Sequence, residues 1–245
     1  MRKQSLQGKA MTLVLAAALA ACGLPVVHAK ADESSVNAAD EYEAVRKVSD
    51  VEDYGVDTAA TSVITIKDVT DWNTFATQCS GSNNYFSGVT VKLANDIDFF
   101  GVSNDNFKQL SDFKGTFDGC GHTISGLVAT SYCGLFDDLN GTVKNVTISD
   151  SKFAVSAKIF TGVIANYNYG VIDNCHIKNT TIKNTDLKSR IGGIAGRMVL
   201  YGEIKNCTVY ADSKVEGGEF AGGICGDVTG KGNIKNCANM GAVSG

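Results

Sequence analysis

The stretch "EIKNCTVY", Glu203–Tyr210, has two close variants elsewhere in the chain. They are "VIDNCHIK" at Val171–Lys178 and "NIKNCAN" at Asn233–Asn239. In every copy an isoleucine stands two residues before an Asn-Cys pair. A metal site, a disulfide framework and a stacked structural repeat would each explain this recurrence, and the spacing of the copies separates them.

The copies belong to a repeat of about 30 residues. Four blocks, which begin at Gly134, Gly162, Gly192 and Gly222, can be aligned. The aligned asparagines and the aligned aliphatic residues recur at nearly the same interval, so two independent registers agree. The asparagines are Asn145, Asn174, Asn206 and Asn236, and the aliphatic residues are Leu135, Ile164, Ile194 and Ile224.

The repeat is composed of short β-prone runs between Gly and Asn, and it lacks a ten-residue helical stripe. The chain has 27 glycines and one proline, which is typical of β structure with many tight turns. The spacing does not fit leucine-rich repeats or propeller blades. The sequence therefore predicts an all-β fold, a right-handed parallel β-helix with about 30 residues per coil, in which equivalent residues stack in ladders.

The Asn-Cys motif fits a corner of such a coil. Its aliphatic residue would point inward and the next residue outward, and the asparagine would occupy the bend. Asparagine tolerates left-handed backbone geometry, and its amide can bond to the asparagine of the next coil. The next position would point inward again, and a small hydrophobic residue suits it. Val146, Cys175, Cys207 and Cys237 occupy that position.

Metal and disulfide explanations of the cysteines are weaker. Zinc sites usually contain closely paired ligands such as C-x2-C, which the three motif cysteines do not provide. Stacked cysteines would have parallel Cβ vectors, which disfavours a disulfide, so we expect reduced, buried thiols. A ladder disulfide remains an alternative, as does a bridge between Cys120 and Cys133.

The N-terminus has the features of an export signal over residues 1–31. Arg2, Lys3 and Lys9 precede an apolar run, Met11–Val27, and "VHAKA" then supplies small residues for cleavage. "LAAC" also matches a lipobox, in which Cys22 would be lipidated. Both routes predict a secreted or cell-surface protein with no transmembrane segment after signal cleavage. Residues 32–62, rich in Asp and Glu, are predicted to form an acidic flexible linker.

The domain predicted for residues 63–245 opens with "VTDWNTFATQC", interpreted as a capping helix over 71–79 that starts at a Thr/Asp cap. "GVTVKLANDIDF", "FKGTFDGCGHTISGL" and "GLFDDLNGTVKNVTI" follow in that order. This series resembles the GLUG-repeat β-helix domains of bacterial surface proteins, with the repeats at 134–245. Cys120 departs from the Asn or Lys often found at its position.

This resemblance implies a parallel β-helix with an N-terminal capping helix in an extracellular or cell-surface protein. Such domains also occur ahead of the catalytic part of immunoglobulin A1 metallopeptidases, and the resemblance implies no activity of the domain itself. The chain stops midway through a unit, at "CANMGAVSG", so we expect that it is truncated.

Candidate catalytic groups are few. The sequence contains no H-E-x-x-H motif, so it is not a zinc protease of that type. His122 and Asp118 could bind a metal or move a proton, and Asp96 and Asp98 alternate along a strand and could hold a cation. We interpret all four as structural, and we expect no cofactor.

The outward positions of the repeat are Lys144, Asp173, Lys205 and Lys235. A sugar-cleaving β-helix would need clustered carboxylates, and Asp173 stands alone among lysines. Lys144, Lys205 and Lys235 are candidates for binding an anionic ligand, although a solvated face is the simpler interpretation. The net charge is −4 and there is no Lys/Arg cluster, which argues against a nucleic-acid partner.

These observations predict a non-catalytic, secreted or surface-attached β-helix that acts as an adhesin-like binding or spacer module. Its partners would be a host glycan or matrix, or other cell-envelope proteins. Two alternatives stay open: a carbohydrate-active β-helix enzyme that uses a lateral groove, and the scaffold portion of a larger surface protease.

Overall fold

The computed structural model describes residues 62–80, 86–100, 105–156 and 159–245. These residues form a parallel β-helix of about six coils with about 29 residues per coil, together with one short helix. The solenoid predicted from the repeat is therefore confirmed. The predicted signal peptide, including Cys22, and the predicted linker up to residue 61 lie outside the described residues.

The strands form four parallel sheets, labelled A to D, and strand numbers follow chain order. Sheet A contains β1 (Val63–Ile66), β2 (Thr90–Leu93), β3 (Ile97–Asp98), β5 (Thr116–Asp118), β6 (Thr123–Ser125), β9 (Thr142–Ser149), β13 (Val171–Lys178), β17 (Glu203–Lys205), β18 (Thr208–Val209), β22 (Asn233–Lys235) and β23 (Ala238–Asn239). Sheet B contains β4 (Leu110–Phe113), β8 (Phe136–Leu139), β12 (Ala165–Asn168), β16 (Ala195–Met198) and β21 (Cys225–Val228).

Sheet C contains β7 (Val128–Ala129), β10 (Lys152–Val155), β14 (Thr181–Asn184), β19 (Lys214–Glu216) and β24 (Ala242–Ser244). Sheet D contains β11 (Phe160–Gly162), β15 (Arg190–Gly192) and β20 (Phe220–Gly222). In the last three coils the chain passes through sheets D, B, A and C in that order. Each position therefore lies directly over its counterpart one coil away.

The core consists of ladders of inward side chains. Val143 pairs with Ile172, and Ile172 pairs with Ile204, and all three are fully buried. Burial of one such side chain contributes roughly 1.5–3 kcal/mol, so each added coil gains stability from its inward residues. Cys175 and Cys207 are buried in the neighbouring ladder, where Cys175 pairs with Val146. This pairing shows that the position accepts either a thiol or an isopropyl group.

Helix α1 (Val69–Ser80) packs on the aromatic core of the first coils. Trp72 is fully buried, lies 5.9 Å from Phe117 between ring centroids, and donates its indole N–H to the Lys108 carbonyl over 3.1 Å. The helix starts earlier than the sequence predicted. Its cap is Asp68, whose carboxylate accepts the N–H of Asp71 over 2.9 Å, and not Thr70 or Asp71 itself.

The opposite end of the stack exposes core positions. Ile234 and Val243 are each 40% exposed, whereas the residues beneath them, Ile204 and Val215, are buried. The difference arises because these side chains lie on the outermost described coil.

Within the described ranges, no helix has the length and hydropathy to cross a bilayer.

Candidate functional site

The lysines predicted to bind an anionic ligand lie in a ladder on sheet A that also contains carboxylates. Strand register places Lys144 between Asp118 and Asp173, and Lys205 between Asp173 and Lys235. Lys144 Nζ lies 3.3 Å from Asp118 Oδ2, and Lys205 Nζ lies 3.8 Å from Asp173 Oδ2. The sequence revealed the three lysines and Asp173 in this row, but it did not reveal that Asp118 belongs to the same ladder.

Glu203 adds a further carboxylate to this ladder. Its two oxygens lie 2.9 Å from Lys205 Nζ and 2.6 Å from Lys235 Nζ. Hydrogen bonds from Lys235 and then Lys205 lower the pKa of Glu203. Each of the three candidate lysines therefore meets a carboxylate, and an anionic ligand on this face has to compete with those pairs.

The four motif asparagines occupy left-handed bends, with φ of 54°, 51°, 55° and 53° at Asn145, Asn174, Asn206 and Asn236. Two of the predicted amide contacts are made, from Asn174 to Asn145 Oδ1 over 3.0 Å and from Asn236 to Asn206 Oδ1 over 3.3 Å.

The other two asparagines donate to carboxylates. Asn145 bonds to Asp118 Oδ1 over 3.0 Å, and Asn206 bonds to Asp173 Oδ1 over 2.7 Å. Asp118 and Asp173 are thus engaged in joining successive coils.

His122 does not pair with Asp118, the partner considered from the sequence. Its Nδ1 lies 3.1 Å from Asp96 Oδ1, and the same oxygen accepts the Thr123 N–H over 2.9 Å. The Thr123 bond is the main reason why the pKa of Asp96 is lowered. Asp98 instead accepts the N–H of Phe100 over 2.8 Å. Asp96 and Asp98 therefore have separate structural partners, and no group of three or more metal-ligating side chains occurs in the described part of the chain.

The cysteines have separate environments. Cys120 is exposed at a bend with φ of 52°, whereas Cys133 is buried, and neither is in a disulfide bond, so the bridge considered for this pair is absent. In the motif ladder the N–H of Cys175 lies 3.4 Å from Cys207 Sγ, and both thiols are reduced. Burial raises the pKa of the Cys175 thiol well above its usual value. This ladder is accordingly part of the core.

A cluster that the sequence analysis missed lies where sheets D and B meet. Sheet D stacks Phe160, Arg190 and Phe220, and sheet B stacks Tyr167, Arg197 and Asp227. We call these residues the aromatic–arginine patch: Phe160, Tyr167, Arg190, Arg197, Phe220 and Asp227.

Glycines bring the two sheets together. Only two residues separate each strand of sheet D from the following strand of sheet B. A Cβ atom on Gly192 would lie 2.1 Å from the Ala195 carbonyl oxygen and 2.7 Å from the Gly226 nitrogen. Because the backbones approach this closely, side chains of the two sheets meet over the bend.

The contacts within the patch are aromatic and ionic. The Phe160 and Tyr167 ring centroids are 4.9 Å apart. The guanidinium carbon of Arg197 lies 4.8 Å from the Phe160 centroid, and that of Arg190 lies 5.6 Å from Phe160 and 5.0 Å from Phe220. Cation–π contacts of this kind contribute about 0.5–2 kcal/mol each and hold the guanidinium planes in place.

Both arginines meet the same carboxylate oxygen. Asp227 Oδ2 lies 3.5 Å from Arg190 Nε and 3.2 Å from Arg197 Nε. Arg197 Nε is buried without a hydrogen bond, so its contact with Asp227 is ionic rather than a directed bond. Partial burial raises the pKa of Tyr167, with smaller effects from Asp137 and Asp138. The arrangement presents two guanidinium groups beside aromatic rings, which suits an oxyanion on a ring-shaped ligand.

The sequence contained one signal for this patch. An aromatic residue or an arginine stands two residues before the aligned glycine in three successive repeats, at Phe160, Arg190 and Phe220. The residue type changes from coil to coil, so a search for identical ladders passes over it.

Comparison with known proteins supports the fold. Neither the protein-family models nor the curated proteins contain a match to the sequence. Among solved structures, the chain is similar to a "putative immunoglobulin A1 protease" from Bacteroides ovatus, with 22% sequence identity and a TM-score of 0.55. The match covers 76% of this chain and 68% of that chain. At this identity the likeness establishes the β-solenoid fold that the two proteins share.

Proposed function

We propose that this protein is a non-catalytic, exported β-helix that serves as an adhesin-like binding or spacer module. The observation that carries this proposal is the engagement of the candidate catalytic carboxylates in coil-to-coil contacts. Asp118 holds Lys144 and Asn145, and Asp173 holds Lys205 and Asn206. Carboxylates that hold a lysine and an asparagine of a neighbouring coil join successive coils, which favours a structural role for them over that of a catalytic acid or base.

The proposed location is outside the cytoplasm, either secreted or attached to the surface. The charged N-terminus followed by an apolar run and small residues supports export. The ordered motifs between residues 63 and 245 support membership of the GLUG-repeat β-helices. The partners we propose are a host glycan or matrix component, or another protein of the cell envelope.

A second candidate is the scaffold portion of a larger surface protease. The similarity to the Bacteroides ovatus protein favours it, because that protein is described as a putative immunoglobulin A1 protease. In that case the β-helix would be the scaffold that positions a separate catalytic part of the protease.

The test is a glycan and host-matrix binding array with the full chain, combined with a reducing-sugar assay on every glycan that is bound. Binding without sugar release is the expected result. Release of reducing sugar by the purified protein would overturn the non-catalytic proposal. Release that is abolished by Asp118→Asn or Asp173→Asn, and unaffected by Asp212→Asn, would then identify the carboxylates responsible.

A further inference from the structure

We propose that the aromatic–arginine patch binds an acidic oligosaccharide, with a carboxylate or sulfate group of the sugar held by Arg190 and Arg197. This inference rests on the proposed binding function and deepens it, because it assigns the binding surface and the class of ligand.

The guanidinium groups are fixed in a geometry suited to an oxyanion. Arg190 lies between two aromatic rings, Phe160 at 5.6 Å and Phe220 at 5.0 Å, and Arg197 lies over Phe160 at 4.8 Å. The guanidinium carbons lie over ring faces, so the aromatic contacts restrict the positions of both groups. A fixed guanidinium edge matches the two oxygens of a carboxylate or sulfate, and little side-chain entropy is lost on binding.

Within the patch two guanidinium groups outnumber the single carboxylate of Asp227, and Asp138 lies beside Tyr167 on the preceding coil. Two guanidinium groups share one carboxylate oxygen of Asp227, and both contacts use Nε. Among the described residues, neither arginine makes a hydrogen bond through its terminal Nη groups, so those donors can serve an incoming oxyanion. The two arginine side chains are 29% and 31% exposed, which leaves them partly desolvated and still accessible. Partial desolvation strengthens an ionic contact relative to one in bulk water.

The aromatic rings argue for a sugar. Phe160 and Phe220 lie two coils apart on sheet D, which is a span of roughly 10 Å at the usual strand spacing. Phe220 is 47% exposed, whereas Phe160 is nearly buried beneath Tyr167 and the arginines. The exposed ring of Phe220 beside an oxyanion site matches a pyranose that has a C–H face and an acidic substituent.

The lysines of sheet A are poorer candidates for this role. Lys205 and Lys235 both contact Glu203, at 2.9 and 2.6 Å, and a lysine offers a mobile point charge without a planar donor edge. The aromatic contacts found in sheets B and D are what distinguish the patch from that row.

The experiment is isothermal titration calorimetry on the full chain with four probes. These are a hyaluronan oligosaccharide (carboxylate), a dextran sulfate oligosaccharide (sulfate), a chitin oligosaccharide (neutral) and poly-glutamate (an acidic peptide). We expect one or both acidic sugars to bind, more tightly at low salt, and the neutral sugar and the peptide to bind at least about tenfold more weakly.

Variants of the patch residues test whether the acidic sugar binds at this patch. The double variant Arg190→Gln/Arg197→Gln should weaken binding of the acidic sugar by at least about tenfold, and Phe220→Ala should weaken it with no change in charge. Arg190→Lys keeps the positive charge but loses the planar guanidinium group, so its affinity for the acidic sugar should lie between those of the native protein and the double variant. The matched control is Lys183→Gln, which removes a charge from sheet C and should leave binding unchanged. Thermal unfolding of each variant checks that the fold is kept.

Each alternative outcome is decisive. If neither acidic sugar binds, or if poly-glutamate or the chitin oligosaccharide binds equally well, the proposed ligand class is wrong. If an acidic sugar binds and the folded double variant retains full affinity, the proposed binding function is supported, but the assignment of the aromatic–arginine patch as the binding site is wrong. Should the double variant unfold, the comparison of Arg190→Lys and Phe220→Ala with Lys183→Gln decides the matter.

Discussion

The side-chain amide of Asn174 donates a hydrogen bond to Oδ1 of Asn145, 3.0 Å away on the preceding coil. Both residues have left-handed backbone geometry, with φ of 51° and 54°. The same side chain therefore permits the bend within its own coil and fixes the neighbouring coil. Asn236 repeats this contact with Asn206, and Asn206 makes its own bond between coils to Asp173, which explains why asparagine recurs at this corner.

The two contributions of Asn174 can be separated by substitution. Asn174→Ala loses the side-chain hydrogen bond and places alanine, which disfavours left-handed backbone geometry, at a positive φ. The free energy of unfolding should therefore fall by about 1–3 kcal/mol. Asn174→Gly also loses the side-chain hydrogen bond, but glycine adopts positive φ readily, so this variant should be destabilised less than Asn174→Ala. Urea unfolding of both variants is the measurement. A glycine variant that is less stable than the alanine variant would show that backbone geometry does not matter here.

Gly192 should not tolerate a side chain. The Cβ of Gly192→Ala would lie 2.1 Å from the Ala195 carbonyl oxygen and close to the backbone of the next coil, which cannot yield without separating sheets B and D. We expect a loss of at least about 2 kcal/mol in the free energy of unfolding.

The control for Gly192→Ala is Lys183→Ala on an exposed strand position, where the change should be within about 1 kcal/mol. Thermal and urea unfolding of the two variants gives the comparison. Equal stabilities would mean that the close approach of the sheets is not required.

Cys120 should be the most reactive of the cysteines in the described ranges, because it is the exposed one. Partial burial and, next, the charge of Asp118 raise its pKa, so its reaction should be slow at neutral pH and accelerate as the pH increases. Asp118→Asn removes the nearby negative charge and should speed the reaction at about pH 8.

The reactivity is measured by Ellman's reagent under native conditions, in a Cys22→Ser background. Cys120→Ser should remove the fastest phase, and Asp212→Asn, which alters a distant carboxylate, should leave the rate as it is. A fast phase that persists in Cys120→Ser would refute the assignment.

Asp105 should make stability depend on pH. Its carboxylate accepts the backbone N–H groups of Thr130 and Ser131, at 2.6 and 3.1 Å, as well as both of their hydroxyls. These bonds, above all that from Thr130, lower its pKa below the ordinary value of 3.8. The unfolded chain then binds the proton more tightly than the folded one, so this contribution is present above pH 3.8 and is lost as the pH falls below it.

Asp105→Asn should therefore lower stability at neutral pH and reduce the loss of stability between neutral and acidic pH. Asparagine tolerates the positive φ of 56° at this position, so the substitution should not add backbone strain. Urea unfolding at about pH 7 and about pH 3 checks the change in slope, with Asp212→Asn as the control. An unaltered pH dependence in Asp105→Asn would contradict the role of this carboxylate.

Helix α1 shows the limit of pattern reasoning about local structure. The apolar spacing of Trp72 and Phe75 predicted a helix, and both side chains are buried in it. The first helical residue was misplaced by two positions, since Thr70, Asp71 and Asp68 are all plausible caps in isolation. Asp68 serves because its carboxylate accepts the Asp71 N–H, while Asp71 in turn accepts the N–H of Lys67 over 3.0 Å.

The charged groups show a second limit. The outward positions of sheet A were predicted from the repeat, yet the partners of their side chains were not. His122 meets Asp96, which is 26 residues away, and Glu203 joins Lys205 and Lys235 through two oxygens. Such pairings depend on side-chain length and rotamer, which the spacing of residues does not determine.

The sequence by itself determined the solenoid, the asparagine corners and the inward cysteine ladder. In a parallel stack each coil corresponds to one repeat, so a register in the sequence becomes a neighbour in space. Only the tertiary structure decided that Phe160, Arg190 and Phe220 meet Tyr167, Arg197 and Asp227. The physical reason is that this patch joins two different sheets across a bend, where glycine backbones come close together and the residue type changes from one coil to the next.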